Sequence, residues 1–284
     1  MSDIALGLSL ALFSALATAF AHALLKVGDN KLAVQAWVRL TGFVLALPIA
    51  LTLGPPPSFL WPWIVGGAAI HAVYQLVLTW SYTVSDFSVA YPIARGVSPM
   101  FTAILGLVLL GDVLNLWALL GVATVSCGIL ALSRNRGVTL TGLSVAVLAG
   151  LLTTAYSVVD AKGIRIAPYA MMFIAWFYVA EGFSMPFALF VRDRASAIPA
   201  LIGNVKTGLA AGVMALLAFL PALFAFKLAP VGAVAALRET SVLIGLVLGA
   251  MMIKETIDRS RIFGALLITI GGLTIIAGSA QLTG

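Results

Sequence analysis

The chain is poor in what a soluble protein displays to water: 9% of its 284 residues are charged, and it has two histidines and one cysteine. A lone cysteine excludes an intrachain disulfide and a thiolate cluster, so Cys127 is expected to serve packing. There is no spaced metal-ligand set, no Walker loop and no G-x-S-x-G elbow. Their absence disfavours a metal centre, an ATP-driven pump and the common hydrolase nucleophile, and no cofactor is expected. What the chain does have is apolar length: 62% hydrophobic residues and a mean hydropathy of +1.13. No soluble core of this size accommodates that much apolar surface, so the expected class is an all-α polytopic membrane protein.

A spanning helix takes about 20 apolar residues. Apolar runs cut at breakers predict ten helices, near 4–26, 32–53, 60–83, 86–110, 114–132, 138–161, 169–190, 205–227, 230–252 and 258–280. Gly28-Asp29-Asn30, Gly54-Pro55-Pro56-Pro57, Ser85-Asp86, Ser133 to Gly137 and Arg192 to Lys206 supply the loop signals. The first run lacks a basic leader and is longer than a signal-peptide core, so it is expected to remain as helix one.

The segment Ser88 to Pro99 recurs, altered, as Val231 to Val242. A gapless shift of 143 positions lays Arg95 on Arg238, Ser98 on Ser241, Gly121 on Gly264, Gly128 on Gly271 and Asp112 on Glu255. Shifts of 135 and 138 pair helix one with six and helix two with seven. The expected domains are therefore two five-helix repeats, 1–137 and 138–284. Five is odd, so the second repeat would enter from the opposite side of the membrane. Inverted repeats around a midplane site, rocking to give alternating access, are a transporter architecture.

The net charge of +6 is expected to reside in cytoplasmic loops rather than to meet nucleic acid. Ten basic residues follow helices one, five, seven and nine, against three in the other connections, which places both termini outside. Trp61 and Trp63 are expected as interface anchors.

An arginine inside an apolar run costs several kcal/mol unless something pairs or uses it. On helix four, Ser88, Tyr91, Arg95, Ser98 and Thr102 share one face, so Arg95 is a candidate to grip a substrate carboxylate, with Tyr91 and Ser98 beside it. The alternative is a structural arginine bonded to carbonyls freed by Pro92 and Pro99 or to a buried acid. Arg238 has Glu239 next to it and is assigned to structure or gating. Helix three brings His71, Tyr74 and Tyr82 to one face with Gln75 at its edge, helix six offers Thr153, Tyr156 and Asp160, and helix seven offers Tyr169, Phe173 and Trp176. Glu181, the deepest acid, is a candidate ammonium partner or proton carrier, or else the partner of an arginine such as Arg39. Asp112 and Glu255 are expected to be structural caps or interfacial pairs.

His22-Ala23-Leu24-Leu25-Lys26, Tyr91-Pro92-Ile93-Ala94-Arg95-Gly96 with Pro99, Asp160-Ala161-Lys162-Gly163-Ile164-Arg165 and Leu237-Arg238-Glu239-Thr240-Ser241 together resemble ten-helix, EamA-type members of the drug/metabolite transporter superfamily. The resemblance implies two inverted halves around a central cavity. It also implies export of amino acids or other metabolites, as by the YddG-type aromatic amino-acid exporters. Family habit puts the termini in the cytoplasm, contrary to the loop charges. The four-helix multidrug relatives carry a proton-exchanging glutamate on helix one, where this chain has only His22, Lys26 and the terminal Asp3.

The expectation is an exporter of large apolar or aromatic amino acids that acts as a monomer in the bilayer on a small-molecule substrate. The alternatives are a multidrug or other metabolite exporter and, remotely, an intramembrane hydrolase using Ser98 and His71.

Overall fold

A computed structural model describes residues 2–27, 29–84, 87–132, 139–244 and 259–280; for some helical residues, including His22, Tyr82, Tyr91 and Pro92, only the backbone is described. All regular structure among the described residues is helical. The elements are α1 (Asp3–Val27), α2 (Lys31–Leu53), α3 (Trp61–Val84), α4 (Phe87–Leu105), α5 (Leu116–Leu132) and α6 (Leu140–Ile166). They continue with α7 (Ala170–Glu181), α8 (Ser184–Asp193), α9 (Ala197–Gly203), α10 (Val205–Leu228), α11 (Val231–Arg238) and α12 (Arg259–Ala280). Eight helical spans among the described residues are long and apolar enough to cross a bilayer, and α5 adds a shorter apolar helix. The chain is an all-α multi-pass membrane protein.

Polarity is distributed as lipid demands. Leu45, Leu51, Val65, Val108, Phe187 and Leu273 are exposed on the outer surface, while His71, Arg95, Asp160, Glu181 and Glu239 are buried. With no water in the hydrocarbon, charge retreats inward to find partners. Cys127, expected in packing, is exposed instead.

Several helices depart from the expected spans for local reasons. The seventh, expected over 169–190, breaks after Glu181. Pro186 has no N–H for the Gly182 carbonyl, Ser184 takes the Glu181 carbonyl with its hydroxyl, and Gly182 packs where a Cβ would stand 2.6 Å from Phe43. The ninth tightens just past Arg238, where Glu239, Thr240, Val242 and Leu243 each bond three residues back. Such a mid-helix change of pitch is a common mark of a hinge. Its expected end at 245–252, the expected partner Glu255 and the expected domain boundary at 137/138 lie outside the described residues. The fourth helix passes after Leu105 into a wider turn over Gly106–Leu110, ended by Gly111 at a φ of 68°. The stretch Arg192 to Lys206, expected as a polar loop, folds into a short turn and α9.

The helices pair as α5 with α12, α1 with α10, α3 with α6, α4 with both α6 and α11, and α2 with α7, α8 and α10. At the α5–α12 contact, a Cβ on Gly121 would stand 2.7 Å from the Gly271 carbonyl oxygen and one on Gly128 would stand 2.8 Å from that of Gly264. As residue numbers rise on one helix they fall on the other, so the two run antiparallel. Small residues permit this backbone-to-backbone approach, which replaces the hydrophobic drive that lipid does not supply.

Candidate substrate site

Where the helices converge, the interior holds two charge clusters separated by aromatic rings. The first joins α2, α3, α6 and α7. Arg39 Nη1 lies 2.7 Å from Glu181 Oε2, His71 Nε2 lies 2.9 Å from Asp160 Oδ2, and His71 Nδ1 lies 3.6 Å from Glu181 Oε1. The pairing of Glu181 with Arg39, weighed from sequence as its structural alternative, is present. Gln75, at the edge of the same α3 face, meets Gln35 of α2 at 3.3 Å.

The second cluster joins α4, α11 and α1. Arg95 Nε lies 2.7 Å from Glu239 Oε2, and Arg95 Nη2 donates to Ser241 Oγ at 3.4 Å. Arg238 turns the other way: its Nε donates to Ser14 Oγ at 3.0 Å, and the guanidinium carbon stands 6.0 Å from the centre of the Phe219 ring. Among the described residues no carboxylate lies within ion-pair distance of Arg238, which stays partly accessible between the buried Leu237 and Glu239.

Phe219 of α10 stands between the clusters, with its centroid also 5.2 Å from that of His71. Tyr156 lies over the imidazole at 4.0 Å, and Tyr74 meets Tyr156 edge-on at 5.3 Å. The result is an aromatic partition with a guanidinium on one side and an imidazole–carboxylate group on the other.

The structure brings together His71, Tyr74, Tyr156, Glu181, Arg95, Arg238 and Glu239. It does not bring in Trp176. That indole donates to the Gly54 carbonyl at 2.9 Å and packs edge-on against Trp61 at 5.5 Å, at the bundle end near the proline run. Its neighbours Phe177 and Tyr178 face inward instead, both meeting Phe219. Ser98 packs on α6, where Thr154 Oγ1 donates to its carbonyl at 3.2 Å, and Pro99 is buried beside it. The side chains of Tyr82, Tyr91 and Pro92 lie outside the described residues. Sequence reasoning passed over Ser14 and Phe219. The spacing of Ser14 and Thr18 by four was a usable signal, whereas Phe219, in a run apolar on every side, gave none.

Away from this core, Asp112 ties one end of the bundle. Its Oδ1 accepts from Arg165 Nη1 at 2.6 Å and its Oδ2 from the Val231 N–H at 2.6 Å, while Arg165 also donates to the carbonyls of Phe226 and Ala229.

Residues 1–134 match the model of the EamA-like transporter family. The match covers nearly all of the stretch expected as the first repeat, 1–137. A solved structure described as "Crystal structure of protein" shares the fold, with a TM-score of 0.71 at 15% identity over 99% of each chain. No curated protein matches the sequence.

Proposed function

We propose that the chain exports amino acids, preferring large apolar or aromatic side chains, by alternating access across a bacterial inner membrane, and that it works as a monomer. The observation that carries this is Arg238. Arg39 and Arg95 are each matched by a glutamate, while among the described residues Arg238 meets a serine hydroxyl and the face of Phe219 but no acid at ion-pair distance. A partly accessible guanidinium inside the bundle, with no acid at ion-pair distance among the described residues, favours an anion that arrives and leaves. Across Phe219 the acidic group around His71 suits an ammonium, and Tyr74, Tyr156 and Phe219 suit an apolar or aromatic side chain. The roles assigned from sequence are thus exchanged: Arg95 anchors Glu239, and Arg238 takes the substrate carboxylate.

Two inverted repeats, 1–137 and 138–284, supply the rocking halves. The glycine contacts support this, because the 143-residue shift carries Gly121 opposite Gly271 onto Gly264 opposite Gly128. Repeat mates α5 and α12 run antiparallel, as an in-plane two-fold axis requires. Both charge clusters also lie at helix breaks, the usual setting for a transporter site.

The test is flux in proteoliposomes holding the full chain. L-Phenylalanine or L-tryptophan is expected to move, and phenylalaninamide, which lacks the carboxylate, is expected to move poorly. Robust flux of tetraphenylphosphonium with none of any amino acid would replace this conclusion with a multidrug exporter.

A further inference from the structure

The group around His71 has a charge problem. It comprises one guanidinium (Arg39), two carboxylates (Asp160 and Glu181) and an imidazole, and the two acids are only 0% and 1% exposed. With a neutral imidazole it carries a net negative charge inside hydrocarbon. One added proton makes it neutral, and a buried uncompensated charge is costly enough to favour that state.

The surroundings accept a proton more readily than a metal ion. Asp160 Oδ1 and Glu181 Oε1 are buried without a hydrogen-bond donor among the described residues. A Cβ on Gly67 would stand 3.0 Å from Asp160 Oδ1, so the backbone there closes on the acid. Tyr156, Phe177 and Phe219 wall the imidazole at ring distances of 4.0, 5.1 and 5.2 Å. Among the described residues no group of His, Cys, Asp and Glu is arranged to hold a metal ion.

The links also cross between the expected halves: Arg39 and His71 belong to α2 and α3, and Glu181 and Asp160 to α7 and α6. A protonated imidazole bonds both acids with charge assistance and draws the halves together. A neutral one leaves two carboxylates facing across the seam with Arg39 to satisfy one of them. Other charged or titratable groups nearby do not alter this balance. Tyr156 comes from α6 and Tyr178 from α7; α10 contributes only Phe219; Arg95 and Glu239 of α4 and α11 neutralise each other; Arg238 lies beyond the Phe219 ring.

We propose that His71, Asp160 and Glu181 form a one-proton site whose loading from water and release to water on the other side couples export to the proton gradient. The coupling rests on the alternating-access conclusion above; the site itself does not depend on the cargo.

The experiment is an infrared pH titration of the full chain in lipid, with no substrate. One protonation step is expected in a His22→Gln background, which removes the chain's other imidazole, with loss of that step when His71→Gln or Asp160→Asn is added. Should either variant fail to fold, Glu181→Gln carries the same expectation. No step in the His22→Gln background, or an unchanged step in the variants, overturns the site. Pyranine-filled proteoliposomes then report the coupling, with internal pH expected to change as L-phenylalanine moves. Phenylalanine flux with no pH change overturns the coupling. An intact step with no flux of any amino acid removes the cargo proposed above and leaves the proton site standing.

Discussion

Arg95 of α4 and Glu239, the residue that caps α11, meet at 2.7 Å with both side chains buried, 7% and 4% exposed. The pair locks the first half of the chain to the second, at the sequence segment that recurs in both. Glu239 follows directly after the repeat mate of Arg95, so one half supplies the counter-ion for the other half's arginine while Arg238 turns away from both.

Breaking that pair from one side is expected to be costly. Arg95→Leu leaves Glu239 charged and alone in a dry interior, at a cost of about 3–5 kcal/mol. The double change Arg95→Leu with Glu239→Leu removes both charges and is expected to recover most of the loss. Thermal unfolding in detergent distinguishes the two. An Arg95→Leu protein as stable as the native one would mean the pair does not hold the halves.

Arg238 is expected to behave oppositely, because its proposed partner is the cargo. Arg238→Ala retains the fold and lowers L-phenylalanine flux by about tenfold to a hundredfold, the range that follows from losing a charged hydrogen bond worth about 1.5–3 kcal/mol. Flux of phenylalaninamide, already low, is expected to change little. An equal fall for both compounds would argue that Arg238 acts on the fold or the conformational cycle rather than on the carboxylate.

Two glycines test the packing that the repeat depends on. Gly121→Leu thrusts a side chain into the α12 backbone, where even a Cβ would stand 2.7 Å from the Gly271 carbonyl oxygen, and is expected to abolish monodisperse expression. Gly66 on α3 has nothing within 4 Å of the same point. Gly66→Ala is therefore expected to stabilise by up to about 1 kcal/mol through helix propensity. Size-exclusion profiles and melting curves check both.

Much of this was legible in the sequence because the membrane makes charge conspicuous. Arg95, Arg238, Glu181 and His71 stand out of apolar runs, and each sits in the interior near the others. What was not legible is which acid meets which arginine. That depends on contacts between helices far apart in the chain, and single-helix spacing carries no such information. The spacing of Tyr169, Phe173 and Trp176 did define a stripe, yet Trp176 lies at the end of the bundle while Phe177 and Tyr178 face the core. A helix apolar all round gives no contrast from which to choose its inward face. The break after Glu181 was hidden for a related reason: Gly182 and Pro186 sit inside a continuous apolar run, and neither alone is a loop signal in lipid.

The tie formed by Asp112 and Arg165 makes the last prediction. Asp112 follows α4, Arg165 ends α6, and the carbonyls of Phe226 and Ala229 lie at the end of α10, so one ion pair gathers three helix ends. If that end must open for cargo to pass, the two residues act as one latch. Asp112→Ala and Arg165→Ala are then expected to raise labelling of a cysteine placed at Leu114, in a Cys127→Ser background, by similar amounts. The double mutant is expected to be no more reactive than either single one, since the second change removes nothing the first has left intact. Additive increases would show two independent contacts instead of a latch.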